Sequence, residues 1–262
     1  MDYFIAGCGW VCTRLAARLM DSGHRVWATC TSESKARQLE KSGISAMVVD
    51  FDQPDVDVKL ERATFDVAVI SIPITRKDTM EVVRQRFGRL STFLNNLSIH
   101  QSFFFGSVGI YPAVSGTITE STFPDEQLDQ LLLMGEQTLR SVYPDLNVLR
   151  LGGLFGYDRV MAKYFEGKVC SIGYQTANFV HVDDICNIVT TMVDAGSQRK
   201  TYNVVAPEHP LKKDVIAASA AKHGYGMPIS FTDAEQMVKM VSPARLIEEL
   251  TYTFAYPSPL GF

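Results

Sequence analysis

The run Gly7-Cys8-Gly9-Trp10-Val11 has the residue types of an anion cradle. Gly7 permits a tight turn and Gly9 lets backbone approach a pyrophosphate. The amides of Trp10 and Val11 would open a helix, whose N-terminus attracts negative charge. Cys12 stands at the third small position of the pattern, where close helix–strand packing needs a small side chain. The chemistry this predicts is capture of a dinucleotide by its phosphates; a bare tight turn between strand and helix is the alternative. Past the next apolar run come Thr31, Ser32, Lys35 and Arg37. An acidic residue about 20 positions after the glycines would bind a ribose 2′-hydroxyl and repel a 2′-phosphate. Hydroxyls beside a cation suit that phosphate, which points to NADP. Glu33 in the same loop keeps NAD open, and Lys35 and Arg37 also read as a solvated helix face.

These residues need elements to hold them. Tyr3-Phe4-Ile5-Ala6 is a short apolar strand, Val11, Leu15 and Leu19 fall on one helical face, and Gly23 closes that helix. Arg25 to Cys30 forms the next strand. A strand, a glycine turn and a helix within about 30 residues is the context that gives a Gly-x-Gly pattern its meaning. Further strands are expected at Ala46–Val49, Val67–Ile70, Ser102–Phe105, Asn147–Leu151 and Tyr202–Val205, with helices around 78–97 and 126–142 between them. That alternation predicts an α/β fold, a Rossmann-type doubly wound parallel sheet with right-handed crossovers. From about Gly152 the strands thin out. Helical segments near 212–223 and 243–250 suggest a small C-terminal substrate-binding region. The expected division is a dinucleotide-binding core over 1–151 and, over 152–262, the last core elements plus that region, as one structural unit.

The chain has 262 residues, is 46% apolar and carries a formal charge of −4. It can bury a large core and offers no basic footprint for nucleic acid. No apolar run approaches the roughly 18 residues of a membrane-spanning helix. A cytoplasmic protein with neither a nucleic-acid nor a membrane partner is expected. Cys8, Cys12, Cys30, Cys170 and Cys186 show no Cys-x-x-Cys pair and read as free buried thiols. The histidines have no paired spacing that suggests a metal, and none is expected.

Five segments stand in an order and spacing that resemble the NAD-dependent epimerase/dehydratase family, the extended and atypical branches of the short-chain dehydrogenase/reductases. They are Gly7 to Val11, Gly106-Ser107-Val108-Gly109-Ile110-Tyr111, Leu149 to Gly156, His181-Val182-Asp183-Asp184 and Tyr202-Asn203-Val204. The tail from Lys239 through Ser242 and Arg245 to Ser258 is similar to the family's C-terminal element. The resemblance implies that Gly7, Gly9, Trp10 and Val11 hold a pyrophosphate and that Asp50 and Phe51 contact adenine. It implies Ser71 near the nicotinamide-side ribose, Gly153 bordering the nicotinamide, and Ser107 bonded to a substrate oxygen. It gives His181 a structural part in fastening a loop. The segment from Tyr157 to Tyr174 is expected to line a pocket for a small-molecule substrate.

One departure bears on mechanism. The family's acid is a Tyr-x-x-x-Lys pair, whose lysine lowers the tyrosine's pKa. Here no lysine stands between Lys77 and Lys163 and no tyrosine between Tyr111 and Tyr143. Leu128 and Leu132 occupy the matching places and, with Leu131 and Leu139, form a helix face suited to packing or dimerisation. A homodimer through the helices at 78–97 and 126–142 is expected, as in many relatives. Three functions stay open: an oxidoreductase acting on a carbonyl or imine with Tyr111 or Glu120 as proton source, a sugar-nucleotide epimerase or dehydratase, and a redox-silent dinucleotide-binding protein.

Overall fold

The structure is a computed structural model and describes residues 1–54, 62–232 and 238–261. The chain runs β1 (Asp2–Ala6), α1 (Trp10–Asp21), β2 (Arg25–Cys30), α2 (Glu33–Lys41), β3 (Ser45–Val48), β4 (Thr64–Ile70), α3 (Met80–Leu94) and β5 (Ser98–Ser107). It continues through β6 (Gly116–Ile118), α4 (Gln130–Val142), β7 (Asn147–Leu151), β8 (Gly153–Phe155), α5 (Met161–Phe165), β9 (Val169–Cys170) and β10 (Phe179–His181). The last elements are α6 (Val182–Asp194), β11 (Thr201–Val204), α7 (Lys212–His223), β12 (Ser230–Phe231), β13 (Lys239–Val241) and α8 (Ala244–Leu250).

Seven strands form one sheet in the order β11-β7-β5-β4-β1-β2-β3. The pairs β1–β2, β1–β4, β2–β3 and β4–β5 are parallel. This is the doubly wound α/β fold that the alternation predicts. From β1 the chain steps outward through β2 to β3, then returns to β4 on the other side of β1 and moves away. With right-handed crossovers, that reversal places the helices on both faces and opens a crevice beyond the carboxyl ends of β1 and β4.

Local sequence explains where the helices start. Ser32, Thr79 and Asp129 cap α2, α3 and α4 through side-chain oxygens that accept from first-turn amides. Helix α1 differs: its N-cap is Gly9, with no side-chain hydrogen bond. The helix expected to meet an anion therefore begins without a competing carboxylate or hydroxyl.

Two compact units share the chain, and neither is continuous. The first comprises Met1–Gly106, Leu128–Leu149 and Thr190–Thr201; the second comprises Ser107–Gln127, Arg150–Val189 and Tyr202–Phe262. This differs from a division near residue 151 because the contacts that assemble each unit are remote in sequence. Gln101 Nε2, for example, donates to the carbonyls of Met192 at 2.9 Å and Ser197 at 2.8 Å, tying 190–201 into the first unit. Aromatic packing dominates that unit's core. Phe4 meets Phe65 at 5.3 Å, and Phe87 meets Phe104 edge-on at 6.0 Å. Leu139 is fully buried in the same cluster and Leu131 packs against it, so the leucine-rich face of α4 packs within its own unit.

The second unit contains three short parallel pairs, β8–β10, β9–β12 and β6–β13. Its carboxyl-terminal stretch is fastened by the buried Asp184, which accepts from Tyr252 Oη at 2.8 Å and from the amides of Ala255 at 2.7 Å and Tyr256 at 3.0 Å. The His181 ring stacks on Tyr256 with centroids 3.6 Å apart. That contact gives the histidine a packing role. Among the described residues no helix is long and apolar enough to cross a membrane.

Candidate functional site

In the first unit, the carboxyl ends of β1 to β4 border an open cleft of about 140 Å³. Gly7, Thr31, Asp50 and Phe51 line it together with Ile72 and Arg86. Gly7 has a φ of +87°, and a Cβ there would lie 2.7 Å from the Ser71 carbonyl oxygen and 2.9 Å from Ile72 Cδ1. Only glycine tolerates both the conformation and the approach. Gly7 N donates to Thr29 Oγ1 at 2.9 Å and Cys8 N donates to the Thr29 carbonyl at 2.7 Å. Thr29 thus fixes the turn, a role hidden in sequence inside an ordinary strand. Gly9 differs in kind: it is extended, and a Cβ added there would meet nothing within 4 Å. Its missing side chain therefore leaves open space beside the turn.

Trp10 and Val11 begin α1. Val11 is buried, so it can offer a ligand only backbone, while the Arg14 guanidinium lies 5.2 Å from the Trp10 ring centroid. Lys35 does not extend into solvent: its Nζ donates to Thr13 Oγ1 at 3.1 Å, and that hydroxyl donates to the Gly9 carbonyl at 2.8 Å. The chain places an ammonium beside the glycine turn. Thr31 and Ser32 are exposed, and Ser32 also caps α2. Burial pushes the thiols of Cys8 and Cys30 up, so neither is a ready nucleophile at neutral pH.

Asp50 holds its own turn, accepting from Asp52 N at 3.0 Å and Gln53 Nε2 at 3.4 Å. The Phe51 ring is buried edge-on against Phe93, which leaves its backbone to line the cleft. Ser71 N donates to the Ala6 carbonyl at 2.8 Å, which sets it directly beside Gly7.

Arg86 is a residue the sequence did not single out. It bonds both oxygens of Asp52 at 2.7 and 3.1 Å, both oxygens of Asp78 at 3.1 and 3.2 Å, and the Pro73 carbonyl at 3.0 Å. It pins together the loops after β3 and β4 that border the cleft. The bond from Arg86 holds the Asp78 carboxyl down at about 2, against an ordinary value of 3.8. A depressed carboxylate contributes stability that is present above the unfolded value and lost as pH falls through the folded one. Arg86→Met is expected to cost about 3 kcal/mol at neutral pH. Urea midpoints should fall more steeply for the parent protein than for the variant as pH drops from 3.8 towards about 2; parallel profiles would reject the coupling.

In the second unit, Ser107 ends β5 and its Oγ accepts from Gly109 N at 3.0 Å. It is half-buried, and among the described residues no protein acceptor takes its hydroxyl proton. Tyr111 is buried, and its phenol donates to Asn203 Oδ1 at 2.6 Å while accepting from Arg150 Nη1 at 3.0 Å. Burial pushes the phenol's pKa up. Glu120 Oε1 accepts from Asn203 N at 2.7 Å. Tyr111, Glu120, Arg150 and Asn203 thus form one network, an arrangement that favours positioning over proton supply for Tyr111 and Glu120. Arg150 and Asn203 were visible only as polar residues inside apolar strand runs.

Gly153 borders a second, smaller cavity, of about 60 Å³, with Arg159, Met161, Tyr164, Phe179 and Val215. A Cβ at Gly153 would strike the Phe179 ring at 2.3 Å, so the strand there must carry glycine. Arg159, Met161 and Tyr164 come from the segment expected to line a pocket.

No family model matches the chain. Protein YeeZ of Escherichia coli K12 is 26% identical over 267 residues, covering 98% of this chain and 96% of YeeZ. A Bacillus cereus UDP-glucuronic acid 4-epimerase solved with NAD superposes with a TM-score of 0.74 at 16% identity, covering 99% of this chain and 95% of the epimerase. The human epimerase family protein SDR39U1, solved with NADPH, gives 0.69 at 16% identity, covering 99% and 96%. Other neighbours include a Methylobacillus flagellatus protein named for the NAD-dependent epimerase/dehydratase family. The fold of this chain is the one that the NAD-dependent epimerase/dehydratase proteins share, as the five spaced motifs imply.

Proposed function

We propose that this chain is a nicotinamide-dinucleotide-dependent oxidoreductase of the atypical short-chain dehydrogenase/reductase type, acting on a small-molecule carbonyl or imine. The observation that carries the reading is the Gly7–Val11 turn. Gly7 is pressed against Ser71, Gly9 leaves open space, and the Lys35 ammonium lies alongside. The residues present fit a dinucleotide: Gly7, Gly9, Trp10 and Val11 would hold the pyrophosphate, and Asp50 with the Phe51 backbone the adenine end. Ser71 would stand at the nicotinamide-side ribose. When bound, the nicotinamide donates or accepts a hydride. The NAD and NADPH held by two proteins of the same fold support a cofactor of this class.

Lys35, Thr31 and Ser32 favour NADP. A charge-assisted hydrogen bond contributes about 1.5–3 kcal/mol, so NADPH should bind at least about tenfold more tightly than NADH. Calorimetric titration measures this, and Lys35→Met should erase most of the difference. Equal affinities in the parent protein would reject the preference.

Ser107 is the group that would orient the substrate oxygen or nitrogen, because its hydroxyl accepts from Gly109 N and keeps its own proton to donate. Tyr111 and Glu120 would act by holding that turn against Asn203. Reduction of an already protonated imine needs no strong acid in the protein, which fits the absent tyrosine–lysine pair. The test is a screen of carbonyl and imine compounds by NADPH consumption, followed by Ser107→Ala on the cognate substrate. Turnover should fall about a hundredfold with cofactor affinity unchanged. A parent protein that binds NADPH yet reduces nothing would favour the redox-silent reading. We also propose a homodimer across α3 and α4, not through the leucines of α4, which pack inside their own unit, but through the exposed Met80 and Val82 at the start of α3; light scattering at micromolar concentration tests it, and a monomer would reject it.

A further inference from the structure

The cavity beside Gly153 has walls of one character. Phe155 of β8, Val215 of α7 and Pro259 line it and are buried, whereas Leu154, Met161 and Phe179 are half-buried, so the space opens on their side. Backbone fixes its shape. Gly153 pairs with Phe179 across β8 and β10, and a Cβ on Gly153 would lie 2.3 Å from the Phe179 ring, so that ring fills the place of a side chain. Ser219, a hydroxyl in the wall, is already engaged both ways: its Oγ accepts from Ala162 N at 3.0 Å and donates to the Ile216 carbonyl at 3.1 Å. Tyr164, another hydroxyl in the lining, belongs to an exposed residue. Among the described residues Arg159 brings the single charge in the lining, on a long alkyl stem.

Water in such a space finds few partners, so an alkyl group gains by displacing it. At about 60 Å³ the cavity holds roughly two groups of water or methyl size, each taking about 30 Å³. A sugar ring or a nucleobase is too large, and would bring hydroxyls or amides to walls that offer them few partners. Gly153 is also the residue that the family resemblance sets beside the nicotinamide. We propose that this cavity seats an isopropyl group of the small-molecule substrate, its two methyls inside and the carbon that bears them at the mouth, next to the reacting carbon. The substrate class is then the short branched aliphatic aldehydes, ketones and imines. Reduction would add hydride at the reacting carbon and a proton at its oxygen or nitrogen, with NADPH oxidised to NADP⁺. That the seated molecule is reduced rests on the oxidoreductase reading; the alkyl seat does not.

The test uses isobutyramide, an unreactive compound that carries the isopropyl group, and two aldehydes, 2-methylpropanal and acetaldehyde. In the unmutated protein, intermolecular NOEs should join the methyl protons of isobutyramide to the methyls of Val215 and Leu154, a readout that does not depend on any variant folding. In Val215→Phe, which fills the cavity, the contacts to Leu154 should vanish while NADPH affinity, read by calorimetry, is unchanged. Measured by NADPH consumption, kcat/KM should favour 2-methylpropanal over acetaldehyde by about tenfold or more in the parent protein, the usual gain from burying added carbons in an apolar pocket. Val215→Phe should reverse that order. Absence of contacts between isobutyramide and the cavity, or reduction of acetaldehyde at least as efficient as that of 2-methylpropanal, overturns the proposal. Contacts with isobutyramide in a protein that reduces neither aldehyde would remove the oxidoreductase reading and leave the alkyl seat standing.

Discussion

Gly7→Ala should destabilise the protein by about 2–4 kcal/mol, whereas Gly9→Val should leave stability within about 0.5 kcal/mol and abolish NADPH binding. The two glycines are two residues apart and do different work. At Gly7 a side chain meets a positive φ of +87° and the Ser71 carbonyl at 2.7 Å, so the cost falls on folding. At Gly9 the backbone is already extended and a Cβ finds nothing within 4 Å, so the protein has no reason to resist it. A valine there fills the space that a pyrophosphate needs. Thermal unfolding and NADPH calorimetry on both variants check the contrast. Undiminished affinity in Gly9→Val would remove the turn from the cofactor site, and a fully stable Gly7→Ala would mean that the turn can relax.

Asp184→Ala should be the most destabilising change in the second unit, at about 3–5 kcal/mol. The carboxylate is fully buried and accepts from Tyr252 Oη, Ala255 N and Tyr256 N. Its removal takes the carboxylate from the two amides, each costing about 1–3 kcal/mol, and leaves Tyr252 Oη only the more distant Asp184 carbonyl at 3.4 Å. The Tyr256 ring, which stacks on His181, loses its backbone anchor in the same step. Limited proteolysis should then cut near 252–258 in the variant before any other site, and urea unfolding should show the loss directly. A shift below about 1 kcal/mol would show that the carboxyl-terminal stretch is held by packing instead.

The sheet was readable because its signals are local. Arg25–Cys30 and Asn147–Leu151 are strands at the residues expected, since each is a short apolar run with clear punctuation. Helix α7 likewise spans Lys212–His223, closed by Gly224 at a φ of +75°. Helix α2 was harder to read: with Ser32 as cap and Glu33 in its first turn, it buries only Ala36 and Leu39, too little for an apolar period. Helix α6 is hard to read for the opposite reason: Val182, Ile185, Cys186, Ile188, Val189, Met192 and Val193 are all buried, so its apolar run lacks the narrow stripe of a surface helix. Of the cofactor site, glycines announce themselves by type, while Thr29 and Arg86 act through partners 22 and 34 residues away that no spacing reveals. The Tyr111 network was legible only as residues inside quoted motifs; that the phenol lies between Asn203 and Arg150 is a tertiary fact.

Cofactor binding at the Gly7–Val11 turn is tested most directly by a crystal structure of the protein with NADPH. The pyrophosphate should lie within hydrogen-bond distance of the Gly9 to Val11 amides, the 2′-phosphate against Lys35 and Thr31, and the adenine beside Asp50. A dinucleotide bound elsewhere, or a cleft beside Gly7 and Gly9 that stays empty at saturating NADPH, would contradict it.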